Sequence, residues 1–269
     1  MNRKRLFVFL TLSFLVSPAF AAPGVGSTAA ASVSPSTETT DKTASGAAEP
    51  VAAPVTVTVE AAPAAAQAPV DPSLVPVETP AFKTLFSPGV DTQSVVYEVR
   101  SGDTLTGIAK KHQTTTGAIK RASGLTTDRL RPGQKLKIPT CKFSVVIDKS
   151  QNTLLLKGDE TILKTYRVST GENNGTPVGV FKITDKLKDP IWYKEEKNGA
   201  SYKIPAGSPK NQLGSRWIGL TEKGYGIHGT IEPDKLGTQC TQGCIRMRNE
   251  EVEELFEIVP PGSEVTIVD

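Results

Sequence analysis

The sequence predicts a mostly β domain over residues 141–269, preceded by a small βααβ unit over 95–140 and a disordered N-terminal linker over 22–94. Three observations carry this. Apolar residues alternate in short runs through the second half of the chain, with a single stretch at helical spacing. A compact block before it reads as strand, two short helices and strand. Everything ahead of that block is dominated by Ala, Pro, Val, Ser and Thr.

Taken in order, Met1 to Ala21 has the pattern of a signal peptide. Arg3, Lys4 and Arg5 form a basic start, Leu6 to Val16 is almost wholly apolar, and Ala19-Phe20-Ala21 offers small residues for cleavage after Ala21. The alternative, a retained membrane anchor, is disfavoured because the apolar run is short for a bilayer. No cysteine near the cut is placed to carry a lipid. Export to a periplasm or cell wall is the expectation, with no stable membrane insertion afterwards. From Ala22 the side chains are too small to offset the entropy of ordering the backbone. Pro50, Pro54, Pro63, Pro69, Pro72, Pro76 and Pro80 keep the segment extended.

Tyr97 to Pro139 holds nine Lys or Arg against three Asp or Glu, whereas Cys141 to Asp269 is balanced at seventeen against eighteen. The basic excess suits an anionic wall polymer or membrane. Nucleic acid is not an expected partner, because no stacking aromatics interleave the charges. In the basic block, Val95, Tyr97 and Val99 alternate as a half-buried strand and Ser101-Gly102-Asp103 turns. Asp103 is the expected cap of a helix bearing Leu105, Ile108, Ala109 and His112. Thr115 opens a second helix that buries Ile119 and Ala122 and ends at Gly124. Leu136 and Ile138 alternate in the closing strand. His112 reads as structural or exposed.

With Tyr97-Glu98-Val99-Arg100-Ser101-Gly102-Asp103-Thr104-Leu105, Leu130-Arg131-Pro132-Gly133-Gln134 and Leu136-Lys137-Ile138-Pro139, this block resembles a LysM domain. The resemblance implies a shallow groove for N-acetylglucosamine-containing glycans at Gly102, Asp103 and Thr104 and at Ser123, Gly124 and Leu125. Ser123 departs from the family's usual asparagine.

In the last part, strands are expected around Phe143 to Ile147, Leu154 to Leu156, Ile162 and Tyr166 to Val168, Val180 to Ile183, Trp217 to Leu220, and Val265 to Val268. One helix should open at Asn249, bury Val252, Leu255, Phe256 and Val259, and stop at Pro260-Pro261-Gly262.

The chemistry concentrates between Ile227 and Asn249. Three cysteines in an oxidising compartment leave at least one unpaired, which favours a working thiol. Gly243 lets the backbone turn sharply before Cys244, so the amides of Gly243 and Cys244 can converge on an oxyanion. Arg246, on the same side of a strand as Cys244, favours thiolate and suits a substrate carboxylate. His228 is the candidate base, returning its proton to a leaving amine. Two structural readings compete: Cys244 as half of a disulfide with Cys240 or Cys141, and His228, Cys240 and Cys244 as zinc ligands. Cys-x3-Cys is loose for zinc and no fourth ligand is evident. Neither metal nor cofactor is expected.

His228-Gly229-Thr230, Thr241-Gln242-Gly243-Cys244-Ile245-Arg246-Met247, Ser169-Thr170-Gly171, Gly175-Thr176-Pro177-Val178-Gly179-Val180-Phe181 and Leu213-Gly214-Ser215-Arg216-Trp217-Ile218-Gly219-Leu220 together resemble the YkuD-type L,D-transpeptidases. That family's fold is a β-rich sandwich or flattened barrel with the cysteine at a cleft edge. Gln242 stands where a second histidine is common. The resemblance implies that Cys244 attacks the third-residue carbonyl of a peptidoglycan tetrapeptide stem, with His228 as base and the Gly229 carbonyl orienting it. Thr241, Gln242, Trp217 and Arg246 would line the substrate. D-alanine leaves and a thioester remains, resolved by a second stem's amine (a 3→3 crosslink), by water (carboxypeptidation), or by a lipoprotein amine. A wall-binding protein without activity would need no Cys244. Pairing of Cys141 with Cys240 would leave Cys244 free and satisfy the odd count.

Overall fold

The computed structural model describes residues 76–195, 199 and 201–269. The expected signal peptide and the linker up to residue 75 lie outside them. Among the described residues no helix is long and apolar enough to cross a membrane.

The last part of the expected linker is folded, which corrects the sequence reading over residues 77–94. Val77–Glu78 (β1) pairs antiparallel with Thr165 and Lys164. Pro80–Leu85 (α1) follows, its first turn capped by Thr79 Oγ1, which accepts from the Phe82 amide at 3.2 Å. Proline at the first helical position is pre-shaped for a helix start. Phe82 and Leu85 then bury in the main core.

The small unit comprises β2 (Ser94–Glu98), α2 (Leu105–Lys111), α3 (Thr116–Ser123) and β3 (Lys135–Pro139), with β2 and β3 antiparallel and Tyr97 opposite Leu136. Val99, Leu105, Ile108, Ala109, Ile119, Leu136 and Ile138 form its core, while Val95 and Val96 are exposed. Thr115 caps α3 and Gly124 ends it at φ +65°, as expected. The cap of α2 is Thr104, not Asp103: Thr104 Oγ1 accepts from the Gly107 amide at 3.1 Å. Asp103 Oδ2 instead accepts from Tyr97 Oη and the Arg100 amide, both at 2.8 Å, locking the turn before the helix.

In the large domain, β4 (Phe143–Asp148), β5 (Thr153–Gly158) and β6 (Thr161–Arg167) form a meander. The short β7 (Thr170–Gly171) precedes the long β8 (Gly179–Lys188). A hairpin, β9 (Trp192–Glu195) with β10 (Ser201–Ile204), leads to β11 (Arg216–Leu220) and β12 (Gly226–His228). Next come β13 (Gln239–Thr241), β14 (Ile245–Arg246), α4 (Asn249–Ile258) and β15 (Glu264–Val268). Nine strands make one curled half-barrel sheet in the order β1-β6-β5-β4-β15-β8-β11-β12-β14. β15 is parallel to β4 and antiparallel to β8, so the C-terminal strand closes the centre of the sheet. β13 pairs separately with β7.

As its spacing predicts, α4 buries Val252, Leu255, Phe256 and Ile258. Lys186 ends that helix: its ammonium donates to the carbonyls of Phe256 and Val259, charge that suits a helix C-terminus. The opposite side of α4 receives the small unit. Gly117 of α3 lies so close to Glu257 that a methyl group there would overlap it. Arg121 of α3 reaches Glu254 Oε1 at 2.5 Å, and the other oxygen of Glu254 takes Lys164 at 2.6 Å and Tyr166 Oη at 2.9 Å. The strands that deliver the thiol and the helix that carries this junction belong to one core.

Candidate active site

The sheet edge β12–β14 assembles the site. These strands are parallel, with Ile227 opposite Ile245 and His228 opposite Arg246. Paired residues share a face, and so do residues two apart in a strand. Cys244 immediately precedes β14, two residues before Arg246, the partner of His228.

A tight turn presents the thiol. Gly243 adopts φ +125°, and a side chain there would press on Tyr225 and the carbonyl of Gly175. Two buried threonines hold this turn from opposite sides. Thr241 Oγ1 accepts from the Gly243 amide at 3.1 Å and donates to the Cys244 carbonyl at 2.6 Å. Thr176 Oγ1 accepts from the Gly171 amide and donates to the Gly243 carbonyl, both at 2.8 Å. One expectation changes. The Gly243 amide is committed to Thr241, so the expected oxyanion pair loses that member and retains the Cys244 amide. Thr241 uses its hydroxyl hydrogen and one lone pair on the turn. The sequence offers Thr176 only as part of the motif Gly175 to Phe181. A threonine directly after Gly175 is the signal the sequence offers.

Cys244 is half-buried, and its sulfur lies 3.5 Å from the carbonyl of Gly224. Burial raises its pKa, against a backbone hydrogen bond at Gly226 and the charge of Arg246, which lower it. The resting sulfur is a thiol. His228 is buried, and burial takes its pKa down to about 4 despite the opposing hydrogen bond to Gly229; the Arg246 charge adds to the fall. Its Nδ1 lies 2.7 Å from the carbonyl oxygen of Gly229, where expected. A carbonyl only accepts, so Nδ1 carries the proton and Nε2 keeps a lone pair. Trp217 stacks on the imidazole, centroids 6.1 Å apart and planes 18° apart, so it forms a wall for the base.

Arg246 is buried too. Its Nη1 sits 3.3 Å from Glu232 Oε2 and 3.9 Å from the sulfur of Cys240, and its Nε has no hydrogen-bond partner among the described residues. Glu232 is itself held by Lys235 at 2.6 Å. Gln242 is exposed at the turn. All three cysteines are free, so the Cys141–Cys240 pairing is not present. Cys141 belongs to the β core, where burial pushes its thiol up to about 12, whereas Cys240 lies beside Arg246. An open cavity of about 470 Å³ adjoins Thr230, walled by Pro209, Ile231, Pro233 and, from the start of α4, Arg248 and Glu250.

In the small unit, a polar cavity of about 370 Å³ is lined by Gly124, Leu125, Thr126, Thr127, Arg129 and Arg131. It includes two of the residues expected to hold glycan. Ser123 ties α3 to β3: its hydroxyl accepts from the Lys137 amide at 2.9 Å and donates to the Lys137 carbonyl at 3.1 Å. Thr104 and Asp103 are committed to the cap and turn, and Gly102 is exposed at φ +88°.

A thiol on a glycine turn and a buried imidazole oriented by a backbone carbonyl, both at the β12–β14 end of the sheet, form the candidate site of a cysteine-dependent acyltransferase. Residues 142–267 match the L,D-transpeptidase catalytic domain family, YkuD, and residues 97–139 match the LysM domain. YkuD of Bacillus subtilis (strain 168), named as an L,D-transpeptidase, is 33% identical over 180 residues, covering 64% of this chain and 98% of that protein. YqjB of the same organism, similarly named, is 41% identical over 131 residues, 46% of this chain and 70% of the relative. Among solved structures, L,D-transpeptidase 3 from Mycobacterium tuberculosis superposes with a TM-score of 0.41 at 15% identity, covering 69% of this chain and 96% of that one. The chain belongs to the YkuD-type L,D-transpeptidase family, with a LysM domain ahead of the catalytic domain.

Proposed function

We propose that this protein works outside the cytoplasm as a peptidoglycan L,D-transpeptidase, joining the third residues of two stem peptides. The observation that carries the reading is the pairing of the Cys244 turn with a His228 imidazole whose proton is fixed on Nδ1. As the donor stem enters, Nε2 takes the thiol proton while sulfur bonds to the third-residue carbonyl carbon. The carbonyl electrons move to oxygen, and the Cys244 amide donates to that oxyanion, a contribution of about 3 kcal/mol for a well-placed donor. When the oxyanion collapses, the bond to D-alanine breaks and the imidazolium returns its proton to the leaving amine. The thioester then meets the side-chain amine of a second stem, whose proton passes to Nε2 as the carbon–nitrogen bond forms and the thiol is regenerated.

Arg246 lowers the cost of forming the thiolate, although Glu232 offsets part of its charge. The cavity beyond Thr230 suits the acceptor. Arg248 and Glu250 give it both signs of charge, matching the carboxylate and ammonium at the end of a diamino-acid side chain. The polar cavity at Gly124 and Leu125 supports glycan-strand binding by the LysM domain, holding the enzyme on its polymeric substrate.

Incubation with a disaccharide-tetrapeptide tests this. The expected result is a mass increase on the Cys244 peptide, release of D-alanine, and more 3→3 dimer than tripeptide. Tripeptide alone would make the protein a carboxypeptidase. D-alanine release that persists in Cys244→Ala would overturn the mechanism.

A further inference from the structure

We infer that Asn249 is a positioning residue for His228, the outer member of a relay that runs from its side-chain amide through the Gly229–Thr230 peptide to the imidazole. The carbonyl that orients His228 belongs to the same peptide unit as the Thr230 amide. In a planar trans peptide, C=O and the following N–H point in opposite directions. The Thr230 amide donates to Asn249 Oδ1 at 3.2 Å, and the Gly229 carbonyl accepts from His228 Nδ1 at 2.7 Å. Fixing one end of that plane aims the other. Hydrogen bonds arranged in such a chain polarise one another, so the outer contact strengthens the inner one.

Two further contacts make Asn249 a held group, and a third holds the glycine it acts through. Its Oδ1 also accepts from the Ser215 amide at 3.1 Å, and its Nδ2 donates to the Thr230 carbonyl at 2.9 Å. The Gly229 amide is tied to the Arg216 carbonyl at 3.2 Å. Two backbone N–H groups converge on one atom of the amide and a carbonyl meets the other, so its orientation is set by its partners. Space is reserved for it as well: a methyl group on either Gly214 or Gly229 would overlap Asn249 Oδ1. Both glycines lie in segments remote in sequence from Asn249, and both leave room for this one amide.

Ordinary helix capping does not account for these contacts. Asn249 is the first residue of α4, the cap position is Arg248, and no side chain caps the helix there. The Asn249 amide is spent sideways, on the loop that follows the catalytic histidine. α4 thereby reaches the site through its first residue, while its later residues hold the LysM junction.

The inference rests on the proposed role of His228 as base, but its primary readout does not need substrate. The chain has two histidines, His112 and His228, so imidazole ¹⁵N resonances are readily assigned in the full-length protein. Wild type should show His228 protonated on Nδ1. Asn249→Ala should mix the two tautomers and lower kcat for acylation by disaccharide-tetrapeptide about tenfold, the scale of one buried hydrogen bond, with KM little changed. Asn249→Asp keeps an acceptor for both amides but gives up the Nδ2 donor to the Thr230 carbonyl; it should restore the Nδ1 tautomer and part of the rate. Its negative charge should also move the acid limb of the rate profile to higher pH. An unchanged tautomer in Asn249→Ala would overturn the relay, whether or not activity falls. So would a rate loss that follows the melting temperature and is not recovered by Asn249→Asp. A wild-type protein that forms no acyl-enzyme, yet shows the tautomer response, would sink the transpeptidase reading and leave the relay standing.

Discussion

His228 and Arg246 stand opposite one another in the parallel β12–β14 pairing, and both side chains are buried. Burial is the main force that keeps the histidine neutral, and the charge of Arg246, which does not give up its proton, adds to it. Burial thus holds the resting site as thiol and neutral imidazole, while Arg246 acts on the thiol in the opposite sense, towards thiolate.

The rate profile should follow. With His228 lowered to about 4, acylation should be nearly flat from pH 8 to pH 5 and fall only as pH approaches 4. The same shift bears on stability. The folded pKa is depressed below the ordinary value of 6.5, so the stability linked to this group is fully present above pH 6.5 and is lost as pH falls through 4. The loss amounts to about 3 kcal/mol, absent in His228→Gln. A kinetic midpoint near 6.5, with the same acid unfolding in both proteins, would mean that the histidine is solvated.

The three thiols should separate by reactivity. Cys141, buried and raised to about 12, should resist iodoacetamide in the native protein. Cys240 and Cys244 should alkylate, and only modification of Cys244 should track loss of acylation. Cys240→Ser should retain most turnover. Protection of Cys240 from alkylation until reductant is added would show a disulfide that the fold does not contain.

Much of this was legible before the fold. Alternation located β4, β5, β6, β8, β11 and β15, and 3.6-residue spacing located α4 with its buried face. Gly243-Cys244 and His228-Gly229 were visible because special backbone geometry leaves glycine beside reactive side chains. The short strands β7, β12, β13 and β14 were not legible, since two or three residues carry no period. α1 was hidden by composition: Pro80 reads as linker until Phe82 and Leu85 are placed in a core that lies distant in sequence. Ser123 and Thr241 show a second limit. A hydroxyl near a site is as suited to its own backbone as to a ligand, and only the fold reveals which partner it has taken.

Thr176→Val should test how far the nucleophile depends on its turn. The substitution keeps shape but removes the hydroxyl that joins the Gly171 amide to the Gly243 carbonyl in a buried setting. Two backbone groups lose a partner, a cost of about 2 to 4 kcal/mol in stability. Acylation should fall at least tenfold, because Gly243 is then free to relax from φ +125° and carry Cys244 with it. Thr176→Ser, which keeps the hydroxyl, should recover most of the rate. Equal rates in the valine variant and wild type would show that Thr241 alone holds the turn.

Glu254→Ala should report on the junction between the two domains. The carboxylate serves Arg121 of the LysM domain with one oxygen, and Lys164 and Tyr166 of the catalytic sheet with the other. Lys164 is only 6% exposed, so it is left buried with Glu78 as its remaining carboxylate partner, beside the rings of Phe82 and Tyr166. Breaking a buried pair from one side costs more than the pair contributes, and a loss of about 3 kcal/mol is expected. Arg121→Ala should cost far less, under about 1 kcal/mol, because that guanidinium is more than one-third exposed and screened. Sedimentation of the variant with purified sacculi should be unchanged, since the cavity at Gly124 and Leu125 does not include Glu254. Calorimetry decides the rest. Wild type should unfold in one transition because Ala118 of α3 shares the core of the catalytic sheet, and Glu254→Ala should split it in two. Two transitions in wild type would mean that the domains are joined without being coupled.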